Sequence, residues 1–129
     1  MIVDSSAIVA ILRNEPEGLG YSEVLASANS IRFSAASYFE CSIVLDRFHD
    51  PVLSAGLDDL VEDVNIIIEP VTAEQAKIAR QAYRDYGKGS GHPAQLNFGD
   101  CFSYALAREK REPMLYKGDD FVHTDIRSA

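Results

Sequence analysis

Acidic residues at the ends of apolar runs are the first chemistry this sequence offers. Asp4 closes the opening run "MIVD", Glu40 lies in "SAASYFECSIVL", Asp100 stands at the head of "LNFGDCFSYALA", and Asp119 and Asp120 follow "LYKG". Carboxylates gathered in one place repel one another and raise each other's pKa, a conflict that a divalent cation relieves by supplying the opposite charge. An all-oxygen shell of carboxylates and water suits a hard ion, so Mg2+ is the expected guest and Mn2+ the alternative. Each acid also has a plainer use. Asp4 and Asp100 are placed to cap helix N-termini, worth about 1 kcal/mol each. Ser37 and Glu40 have the spacing of a capping box, and "GDD" is good turn sequence. Capping and metal binding are compatible, because a carboxylate at a helix N-terminus keeps its outer lone pairs.

Whether these acids meet depends on the elements that carry them. "MIVD" reads as a strand feeding the helix "SSAIVAILRNEPE", which breaks at "NEPEG". A weaker helix over roughly 17–28 leads to "SIRFS" at 30–34, with the β-branched and aromatic content of a strand. "AASYFECSIVLDRFHD" keeps helical spacing until His49 and Pro51, a further helix covers about 53–63, and "VNIIIEP" is a continuous apolar run such as a strand covered on both faces shows. Thr72 and Gln75 open a long helix, and Gly87, Gly89, Gly91 and Pro93 mark a loop. The segment around Asp100 is a last helix, "EPMLYKG" a fourth strand and "FVHTDI" a short fifth. Strands separated by helices imply crossover connections and an α/β fold with a mostly parallel sheet between two helical layers. Ligands of such sheets bind outside the carboxyl ends of the strands, the rim to which these acids belong.

The 129 residues suit one domain spanning 1–129, and 47% apolar with 25% charged residues is an ordinary globular balance. "AIVAIL" at 7–12 is too short to cross a bilayer and lacks the flanks of a secretory signal, so the expectation is a cytoplasmic protein with no membrane partner. Cys41 and Cys101 sit in apolar helical segments without CxxC spacing, which predicts buried free thiols. A net charge of −8 excludes a protein that grips nucleic acid by bulk electrostatics. Contact with RNA then needs a bound cation or a local basic strip. Lys77, Arg80, Arg84 and Lys88, at intervals of three, four and four, supply a candidate strip on one face of the long helix, with a merely solvated face as the alternative. Tyr83 and Tyr86 lie nearby as base-stacking or packing residues. No covalent nucleophile stands out: His49, His92 and His123 lack Ser, Cys or HExxH companions, and "GKGSG" lacks the spacing of a phosphate-binding loop.

Taken in order, "MIVDSSAIVAIL", "SAASYFECSIVL", "LNFGDCFSYALA" and "LYKGDDFVHTDI" resemble a PIN-domain ribonuclease of the VapC toxin type, over nearly the whole chain. The resemblance implies a three-layer α/β/α PIN-like domain and a Mg-dependent endoribonuclease that hydrolyses RNA phosphodiester bonds as the toxin of a toxin–antitoxin pair. Carried over residue by residue, it implies a metal cluster of Asp4, Glu40 and Asp100. Relatives place a fourth acid in a T-x-D-x-D-F pattern; on "YKGDDF" Gly118 takes the place of the first aspartate, leaving Asp119, preferred as an outer ligand, or Asp120 to substitute. Ser6 occupies the position of a small hydroxyl residue on the substrate side, holding a water or orienting Asp4. With Arg80, Arg84 and Lys88 it completes the substrate-binding set. The implied partners are an RNA substrate, a cognate antitoxin whose extended segment brings a basic side chain to the acids, and a second copy in a homodimer. Two other readings stay open. A PIN-like binding module that keeps its metal and cuts nothing is favoured by Gly118. A Mg-dependent receiver-like or phosphatase-like domain is disfavoured by "DSS" after the first strand and by the lack of D-x-D.

Overall fold

In the computed structural model, which describes residues 1–129, short strands alternate with helices. They run β1 (Ile2–Val3), α1 (Ser5–Leu12), α2 (Gly18–Ser27), β2 (Arg32–Ser34), α3 (Ala35–Asp46), α4 (Pro51–Asp63), β3 (Ile67–Glu69), α5 (Ala73–Tyr86), α6 (Phe98–Lys110) and β4 (Met114–Leu115). The strands form one parallel sheet in the order β3-β2-β1-β4, with Ile2 beside both Arg32 and Met114, and Arg32 beside Ile67. Parallel neighbours need long crossovers, which is why helices separate every pair of successive strands.

Successive side chains on a strand face opposite ways, and the two cores follow from that alternation. Val3, Phe33 and Leu115 pack with Ala7 and Ile8 of α1, Leu25 of α2, Cys41 and Leu45 of α3 and Leu57 of α4. Ile2 and Met114 point to the other side, against Ala82 of α5 and Cys101, Tyr104, Leu106 and Ala107 of α6. The result is the three-layer α/β/α arrangement the sequence predicts, with a sheet that is wholly parallel. Cys41 and Cys101 are buried free thiols in opposite layers. No helix is long and apolar enough to cross a membrane.

Three local expectations are corrected. The apolar run "VNIIIEP" is an edge strand rather than one covered on both faces: β3 has only β2 beside it, and Ile67 and Ile68 are 46% and 39% exposed. Residues 121–126 form a turn and a bend with no strand, and the outer side of β4 is met instead by a single bridge between Met114 and Ser128. The long helix stops at Tyr86, where Gly87 turns extended and bridges Leu96, so the Lys88 amide bonds the Leu96 carbonyl at 2.9 Å from a loop. Lys88 therefore leaves the basic helical strip.

Candidate active site

The carboxyl end of β1 delivers Asp4 into the interior. Its backbone N–H bonds the Leu115 carbonyl at 2.9 Å, extending the β1–β4 ladder, and its side chain caps α1. Both carboxylate oxygens are occupied by donors. Oδ2 accepts from the Ser6 amide at 3.0 Å and the Ser6 hydroxyl at 2.6 Å, while Oδ1 accepts from the Ser103 hydroxyl at 2.6 Å. Ser103 is fully buried in α6, and its only proton goes to Asp4, so Ser37 of α3 must be the donor in the 3.1 Å contact between the two hydroxyls. Ser6 is engaged on both sides, because its oxygen also accepts from the Lys117 amide at 3.0 Å. Its proton is committed to Asp4, which it orients, one of the two roles expected of it.

Asp100 enters from α6, but not as the cap the sequence suggests. Asn97 is the N-cap, and the two residues close a reciprocal box: Asn97 Oδ1 accepts from the Asp100 amide at 2.9 Å, and Asp100 Oδ2 accepts from the Asn97 amide at 3.0 Å. Asp100 is 9% exposed. Burial pushes its carboxyl up to about 7, against the lowering effect of the Asn97 N–H and with further raising from Asp4 and Asp120. Its second oxygen, Oδ1, meets no donor of the chain.

Glu40 lies beyond the first turn of α3, whose N-cap is Ser34. The Ser37–Glu40 capping box is not made, because Ser37 is already inside the helix and its hydroxyl is committed to Ser103. That removes the plain structural role of Glu40. Its carboxyl rests on the first turn of α6 at Gly99, where a Cβ would come within 2.6 Å of Glu40 Cδ. Burial, then the charge of Asp4, raises its pKa above the ordinary glutamate range. The Ser34 hydroxyl, at the end of β2 beside β1, is buried without a partner.

Beyond β4 the chain turns at Gly118, which has φ +96°. A Cβ there would meet nothing within 4 Å, so the dihedral and not space calls for glycine. The turn brings Asp120 to Asp100, close enough for its charge to raise the Asp100 pKa. Asp119 is not among the groups acting on Asp100; its carbonyl accepts from Val122 N at 3.3 Å. Of the two candidates for a fourth acid, the structure brings Asp120, and not the preferred Asp119, to Asp100.

The acids thus form a chain of neighbouring pairs, Glu40 with Asp4, Asp4 with Asp100, and Asp100 with Asp120. No three of them close into a cage for an ion on their own. The donor set is nevertheless that of a hard divalent cation: oxygens only, with negative charge that no base offsets. None of the chain's ion pairs reaches these acids: Lys117 pairs with Glu15 and Glu17, Arg32 with Glu69 and Glu112, and Arg108 with Asp125.

Next to the acids, Glu40, Asn97 and Gly99 share a groove of about 740 Å³ with the exposed rings of Phe39 and Phe98. A second hollow of about 280 Å³, holding Arg80 and Tyr83, lies on the far side of Phe98 and Phe102, which line both. Arg80 is therefore one aromatic ridge away from Glu40. Arg84 is exposed further along α5 and lines neither hollow. Tyr86 packs on His92 and Tyr104 with ring centroids at 4.8 and 5.8 Å, so it belongs to the interior, while Tyr83 is exposed. Ser103 and Gly99 escape a reading of the sequence. The available signal is spacing: Ser103 follows Asp100 by three residues and must share its helix face.

Comparison with known proteins adds to this geometry. A family-wide sequence model described as PIN domain matches residues 1–127. The chain is 59% identical to Ribonuclease VapC28 of Mycobacterium tuberculosis over 129 residues, covering 100% of this chain and 97% of the relative. Its fold is similar to the crystal structure of M. tuberculosis VapC20, described as a sarcin-ricin loop cleaving toxin, with a TM-score of 0.74 at 19% identity, covering 98% of each chain. It is also similar to a chain of a toxin–antitoxin complex from Klebsiella pneumoniae, with a TM-score of 0.71 at 13% identity over 96% of this chain and 92% of the other.

Proposed function

The chain belongs to the PIN-domain family, in its VapC branch, and we propose that it is a metal-dependent endoribonuclease, the toxin member of a toxin–antitoxin pair. One observation carries the reading: Asp100 is buried beside Asp4 and Asp120 with no base in reach of any of them. Buried like charges without a counter-charge are costly to the fold, and such an arrangement makes sense where a cation is part of the working state. The names of the close relatives, which are ribonucleases, support the same conclusion.

Asp4, Asp100 and Glu40 would hold the ion, with Asp120 as the outer acid, and Mg2+ fits their oxygens, with Mn2+ as the alternative. When bound, the metal supplies a water of lowered pKa and positive charge opposite the phosphoryl oxygens. The chain's own residues do the rest. Ser6 and Ser103 hold both oxygens of Asp4 in a fixed plane, and Asn97 fixes Asp100 through one oxygen while leaving the other free. Gly99 lets the Glu40 carboxyl lie against α6. Arg80 and Arg84, free of ion pairs, face the approaching RNA from α5, where a local cation offsets part of the repulsion from a chain of net charge −8. The same uncompensated acids suit a basic side chain from an antitoxin, and an RNA substrate is in keeping with the cytoplasmic location expected from the sequence. Gly118, which favours a non-cutting module, removes no acid from the cleft, because the turn it makes is the one that delivers Asp120.

The test is cleavage of total RNA by the purified chain across a Mg2+ titration, alongside Asp4→Asn. Cleavage should require metal and fall by about a hundredfold or more in the variant. Equal cleavage by Asp4→Asn, or cleavage indifferent to metal and chelator, overturns the reading.

A further inference from the structure

The helix that Asp4 caps is gripped at both of its ends by one residue. Lys117, two residues beyond β4, donates its amide to the Ser6 hydroxyl at 3.0 Å, in the first turn of α1. Its ammonium reaches Glu15 at 2.5 Å and Glu17 at 3.3 Å, in the turn that follows α1. The 8 residues of α1 span about 12 Å, so the main chain and side chain of Lys117 together bridge that helix from end to end.

The two glutamates are held by their own backbone. The Glu15 amide bonds the Ala10 carbonyl at 2.9 Å, and the Glu15 carbonyl accepts from the Gly18 amide at 2.9 Å. Gly18 lies so close to α1 that a Cβ there would come within 2.5 Å of the Ala10 oxygen, so glycine is what lets the turn fold back on the helix. Lys117 pairs with no other acid, and it is not among the charges that act on Glu40 or Asp100. It is therefore no counter-charge for the cleft.

Lys117 nevertheless stands at the root of two of the cleft's acids. Ser6, which takes a proton from the Lys117 amide, gives its own to Asp4 Oδ2 at 2.6 Å. Gly118, the next residue, makes the turn that carries Asp120 to Asp100. We propose that Lys117 is a positioning residue: anchored by its ammonium on Glu15 and Glu17, it holds its amide on Ser6 and fixes the start of the Gly118 turn, so that Asp4 and Asp120 stand where cleavage needs them. The role in cleavage rests on the nuclease reading above. Exposed ion pairs add little to the stability of a fold. Their leverage here is geometric, because a displacement of about 1 Å at a reacting group can cost a hundredfold in rate.

Two measurements separate the clamp from the chemistry. In metal-free buffer, hydrogen exchange at the residue-117 amide, followed by NMR, should quicken about tenfold in Lys117→Met and in the paired variant Glu15→Gln/Glu17→Gln, which leaves Lys117 intact. Lys117→Arg keeps a cation within reach of both carboxylates and should exchange like wild type. On an RNA that wild type cleaves, kcat should fall about tenfold or more in Lys117→Met and equally in the paired variant, with KM within about threefold of wild type. All three changes combined should cost no more than either variant, because they break one clamp, and Lys117→Arg should retain most of the rate. The paired variant carries the test by itself should Lys117→Met fail to fold. Unchanged exchange at residue 117 overturns the proposal whether or not the chain cuts RNA. So do a loss confined to Lys117→Met, which makes Lys117 an RNA contact, a change in KM alone, and quickened exchange with an undiminished kcat. Quickened exchange in a chain whose wild type cuts nothing supports the clamp and removes the nuclease reading instead.

Discussion

Asp100 is pulled in two directions at once. Burial raises its proton affinity, the Asn97 N–H lowers it, Asp4 and Asp120 raise it again, and the outcome is a carboxyl near 7 instead of 3.8. Over the interval between those values the folded chain keeps a proton that the unfolded chain has released, so this group makes stability fall as pH rises from about 4 to about 7. Glu40, also raised, acts in the same sense, whereas Glu17 and Glu112, both lowered, act in the opposite one. The difference between wild type and Asp100→Asn isolates the one contribution. In metal-free buffer the variant should exceed wild type by on the order of 2 kcal/mol at pH 8, with the gap closing near pH 4, as read from denaturant titrations across that range. A variant that is less stable at both ends would make Asp100 a capping residue and nothing more. The acid itself was legible in the sequence because an isolated carboxylate before an apolar helix is conspicuous. Ser103, a small polar residue among alanines and aromatics, was not: its role exists only once three helices bring Ser37, Ser103 and Asp4 into one line.

Helix starts and stops explain most of what periodicity alone misplaced. The apolar pattern of α6 announces a helix near Asp100, but the N-cap is three residues earlier, and the box closes with an aspartate where glutamate or glutamine is usual. The basic spacing of α5 continues arithmetically to Lys88 although the backbone leaves the helix at Gly87, a break that the glycine itself signals. The contact between α3 and α6 is finer still. Gly99 sits in the first turn of α6 and admits the Glu40 carboxyl where any Cβ would collide with it. Gly99→Ala should leave stability unchanged or raise it by up to about 1 kcal/mol, since alanine is the better helix former and the end of a glutamate side chain moves at little cost. RNA cleavage should nevertheless fall by about tenfold or more. Thermal unfolding and initial rates measured on one preparation check both halves, and unchanged rates would show that Glu40 need not touch α6.

For the molecule as a whole, charge is sorted rather than balanced. Excess acid lies at the carboxyl rim of the sheet, while the paired bases are engaged at its periphery, as with Arg32 between Glu69 and Glu112. A cation that binds only the folded state stabilises it in proportion to the logarithm of its concentration, about 2.7 kcal/mol at a hundred times its dissociation constant. Millimolar Mg2+ should therefore raise the melting temperature of wild type, and the rise should vanish in Asp4→Asn; calorimetry that finds no shift in wild type, or an equal shift in both, removes the cation from the site. At this scale the sequence was informative about class. Alternating strands and helices dictate a parallel sheet with two helical layers, but the order β3-β2-β1-β4 is set by which faces pack together and is not written in any local pattern.

The interior place of β1 bears on when the protein becomes dangerous. Its neighbour β4 lies more than a hundred residues later, and the Lys117 amide just beyond β4 is what holds Ser6 against Asp4. Domains emerge from the ribosome amino-terminus first, so a growing chain displays Asp4 and Glu40 long before Asp100, Ser103 or Asp120 has been made. Until that last stretch is translated and docks, there is no blade to assemble.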